Sequence, residues 1–165
     1  MIMQDYWYIR EGFEQRIKEY LALAPVVEVD LEFEVMEKDF NSAGKGSSET
    51  KNLLKRLGVE SDILRRVAVS AYEAEINMAA HSRGGKMISE VYDDHIHVRF
   101  EDIGPGIENI DQAMVPGYST ADELVRELGF GAGLGLPNIK KNCDAMHIRS
   151  AKDSPTLLEF IIYFG

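Results

Sequence analysis

The chain has 165 residues, a net charge of −10 and a pI near 4.9, with 45% apolar and 28% charged residues. One domain with a real core is the default at this length. The acidic balance argues against a general nucleic-acid or anionic-membrane binder, each of which needs a basic face. The single cysteine, Cys143, rules out an internal disulfide or a cysteine metal cluster and fits a reduced, cytoplasmic setting. No apolar run reaches a membrane span, and the first residues are too polar for a signal peptide.

In chain order, residues 6–21 place Tyr6, Ile9, Phe13, Ile17, Tyr20 and Leu21 at three- and four-residue steps. This spacing predicts an amphipathic helix closed by Pro25, either packed on the domain as an extension or used for docking or dimerisation. Residues 27–36 alternate, with Val27, Val29, Leu31, Phe33 and Val35 opposite Glu28, Asp30, Glu32 and Glu34. That is a strand with one wet face. Residues 42–57 predict a helix ending at Gly58. The Gly44-Lys45-Gly46-Ser47-Ser48 run at its start is not a P-loop, because Gly46 rather than Ser or Thr follows Lys45. Its glycines fit close helix packing or a loose first turn.

Residues 62–81 form the longest regular stretch. Ile63, Leu64, Val67, Ala71, Ala74 and Met78 make one stripe at 100° per residue, so the helix faces the core. Strands over 86–92 and 96–101 are joined tightly through Asp93-Asp94-His95, as in a hairpin. Residues 109–114 read as a short helix and 115–130 as an irregular, mobile cover. Residues 133–145 read as a helix, and 146–151 and 156–164 as a second strand pair. Sequential strand pairs with helices between them indicate an α+β fold: a two-layer α/β sandwich with a mixed, mostly antiparallel sheet and helices on one face. The division is an N-terminal helical extension over 1–25 and one domain over 26–165.

Three constellations carry chemistry. On the long helix, Glu73, Asn77 and His81 stand four residues apart, in one slanting row along the border of the apolar stripe. An amide there can give its oxygen to Mg²⁺, and a carboxylate one turn away can take a proton. Glu75 lies on the opposite border, outside that row. Asp102, at a strand end before Gly104-Pro105-Gly106, can accept from an exocyclic amine or simply start an Asx turn. Gly131-Ala132-Gly133-Leu134-Gly135 opens a helix, as an anion site or as a hinge. It is not the Rossmann fingerprint.

Taken together, the three resemble the boxes of the Bergerat-fold (GHKL) ATPase superfamily, which includes gyrase and the histidine kinases. The segment from Val69 to Asn77 resembles its N box, Asp102-Ile103-Gly104-Pro105-Gly106 its first glycine box, and Gly131 to Gly135 its second. The Gly117-Tyr118-Ser119-Thr120 run and the Gly-Leu-Gly-Leu-Pro ending resemble the anti-sigma-factor serine/threonine kinases, especially switch kinases of stress signalling. The resemblance implies Glu73 as general base, Asn77 as Mg²⁺ ligand and Asp102 as holder of the adenine amine. It implies Gly104 and Gly106 against the base, and Ser119, Thr120, Gly131, Ala132, Gly133, Leu134 and Gly135 around the phosphates of ATP. Thr156 stands where the family commonly has the threonine of a Gly-Thr turn; here the run is Asp153-Ser154-Pro155-Thr156. His81 is read as supporting.

The activity so implied is ATP-dependent transfer of a phosphoryl group to Ser or Thr of a STAS-type anti-sigma-factor antagonist or a related regulatory protein. A sigma factor, a phosphatase and a second copy of the chain are further partners it allows. The alternative is a nucleotide-dependent binding switch with little catalysis. A histidine-kinase catalytic domain ranks lower, because the N-terminal helix has no histidine to accept phosphate.

Overall fold

The computed structural model describes residues 2–117 and 135–165. Its elements are β1 (Gln4–Ile9), α1 (Glu14–Leu23), β2 (Val29–Met36), α2 (Lys45–Arg56), α3 (Ser61–His81), β3 (Gly84–Val91), β4 (His95–Asp102), α4 (Ile110–Ala113), α5 (Gly135–Asn142), β5 (Ala145–Ser150) and β6 (Leu157–Tyr163). The strands form one sheet in the order β1-β5-β6-β4-β3-β2. Every pairing is antiparallel, so the sheet is not mixed. The α+β two-layer sandwich expected from the strand pairs is the architecture found.

The core lies between the sheet and α2, α3 and α5. All six stripe residues of α3 are buried there, against Met87, Val98, Phe100, Met146, Ile148, Phe160 and Ile162 from the strands. In β2 the inward row is Leu31, Phe33 and Val35 while the acidic row stays exposed, as the alternation required of an edge strand.

The N-terminus departs from the sequence reading. Residues 4–9 are a strand, registered from Gln4 opposite Ser150 to Ile9 opposite Ala145, and the helix starts only at Glu14. Tyr6, Trp7 and Tyr8 are good strand formers. They alternate, with Tyr6 and Tyr8 packing on the main core while Trp7 stacks on His147 on the far face. Gly12, at φ 93°, turns the chain into α1. From Phe13 onward the three- and four-residue spacing holds. Phe13, Ile17 and Tyr20 pack on Ala145, Ile161 and Tyr163, which alternate with the main-core residues and so lie on the opposite side of the sheet. The far face is therefore partly covered by α1.

The same far face carries a charged ladder. His147 contacts Glu159 Oε2 through Nδ1 and Asp5 Oδ1 through Nε2, both at 2.8 Å. An ionised carboxylate only accepts, so this arrangement suits the doubly protonated ring of His147. Burial alone would lower its pKa, but the two carboxylates outweigh that and raise it. Burial would likewise raise Glu159; the hydrogen bonds and charges of His147 and His97 reverse this and hold it at about 2.

Candidate functional site

The site is built along α3. Its length follows from good helix formers with no proline or glycine between Ser61 and His81. The row Glu73–Asn77–His81 climbs about 12 Å of that helix. Glu73 and Asn77 are half-buried, on the border of the core stripe. After His81 the chain turns back, and Arg83 donates its backbone N–H to the Gly104 carbonyl at 2.8 Å. The C-terminal end of α3 therefore meets the first glycine segment, while Glu73 lies about two turns back along the helix.

At the Gly104 end, Asp102 closes β4. Its Oδ1 accepts the backbone N–H groups of Gly104 at 2.9 Å and Thr156 at 2.8 Å. Its own N–H donates to the Thr156 carbonyl at 3.0 Å. Both amides fall on one oxygen, and Oδ2 takes no hydrogen bond among the described residues. Burial raises the Asp102 pKa, partly offset by these two amides. Thr156 is itself held, its hydroxyl 2.6 Å from that of Ser150, which accepts from Ile107 N–H at 2.8 Å.

Gly104 and Gly106 both have positive φ, 110° and 91°. At Gly106 an added β-carbon would lie 2.0 Å from the Ala151 carbonyl oxygen and 2.4 Å from that of Ser154, so the loop admits only glycine there. Asp102, Gly104, Gly106 and Thr156 thus form one backbone-locked corner with a free carboxylate oxygen.

Back along α3, Glu73 faces α5. Its Oε1 accepts from Asn138 Nδ2 at 3.4 Å, and its Oε2 lies 3.2 Å from where a β-carbon on Gly135 would sit. Gly135 is the first residue of α5, and Pro137 sits in its first turn, where a missing N–H costs no helical bond. The C-terminal end of α5 is pinned. Arg66 of α3 donates to the Asn142 carbonyl and to Asp144 Oδ1, both at 2.9 Å. Arg10 adds an ion pair to the same buried Asp144.

Ser119, Thr120, Gly131, Ala132, Gly133 and Leu134 lie outside the described residues, as does most of the expected cover.

Glu75 belongs elsewhere. Its carboxylate is 2% exposed and accepts the backbone N–H groups of Gly44, Gly46 and Ser47 at the start of α2. It supplies the cap and the negative charge that this helix start lacks in its own sequence. The glycines of the rejected P-loop are packing devices: a β-carbon on Gly46 would meet Met87 Sδ at 2.5 Å.

No protein-family model matches the chain. Curated relatives do. The anti-sigma F factor of Oceanobacillus iheyensis is 28% identical over 111 residues, 64% of this chain and 73% of that protein. The anti-sigma F factor of Anoxybacillus flavithermus is 29% identical over 106 residues, 61% and 69% of the two chains. The one from Clostridium perfringens is 32% identical over 68 residues, 41% of this chain and 45% of its own length. The chain is thus similar to anti-sigma F factors over about two thirds of its length. Among solved structures, a chain of the SiaB–SiaC complex from Pseudomonas aeruginosa shares the fold with a TM-score of 0.54 and 13% identity, covering 92% of this chain and 99% of that one.

Two residues escaped the sequence reading. Asn138 was legible only as the polar residue three positions after Gly135, on the same side of a new helix. Glu75 was legible as an acid on the border of an apolar stripe; its partners are about thirty residues away.

Proposed function

We propose that the chain is an ATP-dependent serine/threonine protein kinase acting on a regulatory protein partner of the STAS type, in a cytoplasmic setting. One observation carries the reading: an under-committed carboxylate, Glu73, sits on α3, and a backbone-locked carboxylate, Asp102, opens the loop that meets the end of the same helix. Asp102 Oδ2 suits the amine of adenine, and the positive-φ glycines let a flat base lie against the backbone. Asn77 lies between Glu73 and that end of the helix. Its amide oxygen suits Mg²⁺, which supplies charge neutralisation at the phosphates when bound.

Glu73 then takes the proton of an acceptor hydroxyl. The hydroxyl oxygen bonds to the γ-phosphorus, the bond from that phosphorus to the β-bridging oxygen breaks, and ADP leaves. Most of the rate comes from positioning and from donors aimed at developing charge. The relatives are named as anti-sigma factors, and the fold neighbour was solved in a two-protein complex; both support a protein partner. No helix among the described residues is long and apolar enough to cross a membrane.

The test is Glu73→Gln with labelled ATP and a STAS-domain protein from the same genome. The kinase reading expects ATP affinity to hold and transfer to fall at least about a hundredfold. Transfer at the wild-type rate overturns it. Nucleotide binding with no transfer by either form favours a nucleotide-dependent binding switch, the second reading suggested by the relatives' names.

A further inference from the structure

We infer that Asn138 is a positioning residue for Glu73. The inference rests on the kinase reading of the site and goes beyond it, since nothing in the three boxes calls for a side-chain amide on α5. Asn138 Nδ2 donates to Glu73 Oε1, the one hydrogen bond this carboxylate makes among the described residues. At 3.4 Å it is a long contact; catalytic hydrogen bonds are often long in the unloaded site and tighten when substrate is bound.

The amide stands on a fixed base. Asn138 sits in the first turn of α5, and its carbonyl accepts from Asn142 Nδ2 at 2.9 Å. Asn142 in turn gives its carbonyl to Arg66, and Arg66 is a residue of α3, two turns before Glu73. The two helices are tied at the far end by the Arg66–Asp144 pair and at the near end by Asn138–Glu73. Glu73 Oε2 is left against Gly135, where an added β-carbon would stand 3.2 Å from it.

The consequence is directional. With Oε1 held by the amide, Oε2 is the oxygen presented to an acceptor proton at the start of α5. Without the amide, the carboxylate rotates freely about its terminal torsion, which has no sharp preferred well. Misaiming of this kind lowers turnover more than nucleotide binding, because the adenine corner of Asp102, Gly104, Gly106 and Thr156 makes no hydrogen bond to Asn138 or Glu73.

Hydrolysis of Mg-ATP alone tests this without a partner, since water can replace the hydroxyl acceptor. Water gives its proton to Glu73, its oxygen bonds to the γ-phosphorus, the bond from that phosphorus to the β-bridging oxygen breaks, and inorganic phosphate and ADP leave. Asn138→Ala, Asn138→Gln and Asn138→Asp are compared for kcat, KM, dissociation constant of a fluorescent ATP analogue and melting temperature. Asn138→Ala is expected to lose about tenfold or more in kcat with smaller changes in KM and analogue affinity. Asn138→Gln, which keeps an amide donor, recovers part of the loss. Asn138→Asp, which sets carboxylate against carboxylate, falls below Asn138→Ala. In a Glu73→Gln background, Asn138→Ala adds no further loss of kcat.

A lowered melting temperature with kcat intact in the folded protein overturns the inference and leaves the kinase reading standing. Analogue binding with neither hydrolysis nor transfer to the STAS-domain protein by the wild-type chain overturns both, and that control separates the two failures.

Discussion

Glu73 and Glu75 are two residues apart on one helix, and their surroundings are opposites. Glu75 is buried with its oxygens saturated by three backbone amides of α2. Glu73 is half-buried, with one long side-chain contact among the described residues and an oxygen facing a glycine. A carboxylate whose acceptor sites are all filled by the chain is part of the fold. One left nearly free at the rim of the core is available for chemistry. The same contrast divides the two oxygens of Asp102, one fixed by two amides and the other without a hydrogen bond among the described residues.

This comparison breaks most visibly at Glu75. Removing its carboxylate leaves three amides at the start of α2 unpaired, so Glu75→Ala should cost about 3 kcal/mol or more by denaturant unfolding. Glu73→Gln should cost under about 0.5 kcal/mol in the same measurement. Equal losses would erase the distinction. Next in size is Gly106→Ala, which puts a β-carbon against two carbonyl oxygens at positive φ. It should lose about 2–3 kcal/mol of stability and nucleotide affinity with it.

A smaller effect follows at Asp102 Oδ2. Asp102→Asn with the amide nitrogen outward presents a donor to the adenine amine. ATP affinity should fall about tenfold or more by fluorescence titration, with little change in unfolding midpoint.

The far face gives the smallest and most diffuse effect. Glu159 is depressed from 4.5 to about 2, so its contribution is present above 4.5 and lost as pH falls toward 2. His147 is raised above 6.5, so its contribution is present below 6.5 and lost as pH rises through its folded value. The ladder stabilises most between those limits. Glu159→Gln should flatten both limbs of the stability–pH curve, by about 1 kcal/mol at the acid end.

Much of this was legible in the chain. The α3 stripe, the acidic alternation of β2, the hairpin through Asp93 and the row bearing Glu73 and Asn77 are local patterns, and local patterns survive folding. What was not legible depended on distant partners. Tyr6, Ile9 and Phe13 fit a helical step as well as Tyr6 and Tyr8 fit a strand, and pairing with β5, some 140 residues on, decided between them. The Glu75 cap joins segments about thirty residues apart, and the His97–Glu159–His147 ladder joins three strands. Histidines at alternate strand positions were its only trace in the sequence. Thr156 matched its expected role only loosely by pattern, yet its backbone N–H reaches Asp102, because the turn after β5 folds back on the Gly106 loop.

The most direct test of the account is an amide NMR titration of the wild-type chain with Mg-ATP. It predicts saturable shifts at Asp102, Gly104, Gly106 and Thr156 and at the Asn77 and Asn138 side-chain amides, with Gly44, Gly46 and Ser47 unmoved. Shifts centred on Gly44–Ser47, or none at all, would contradict it.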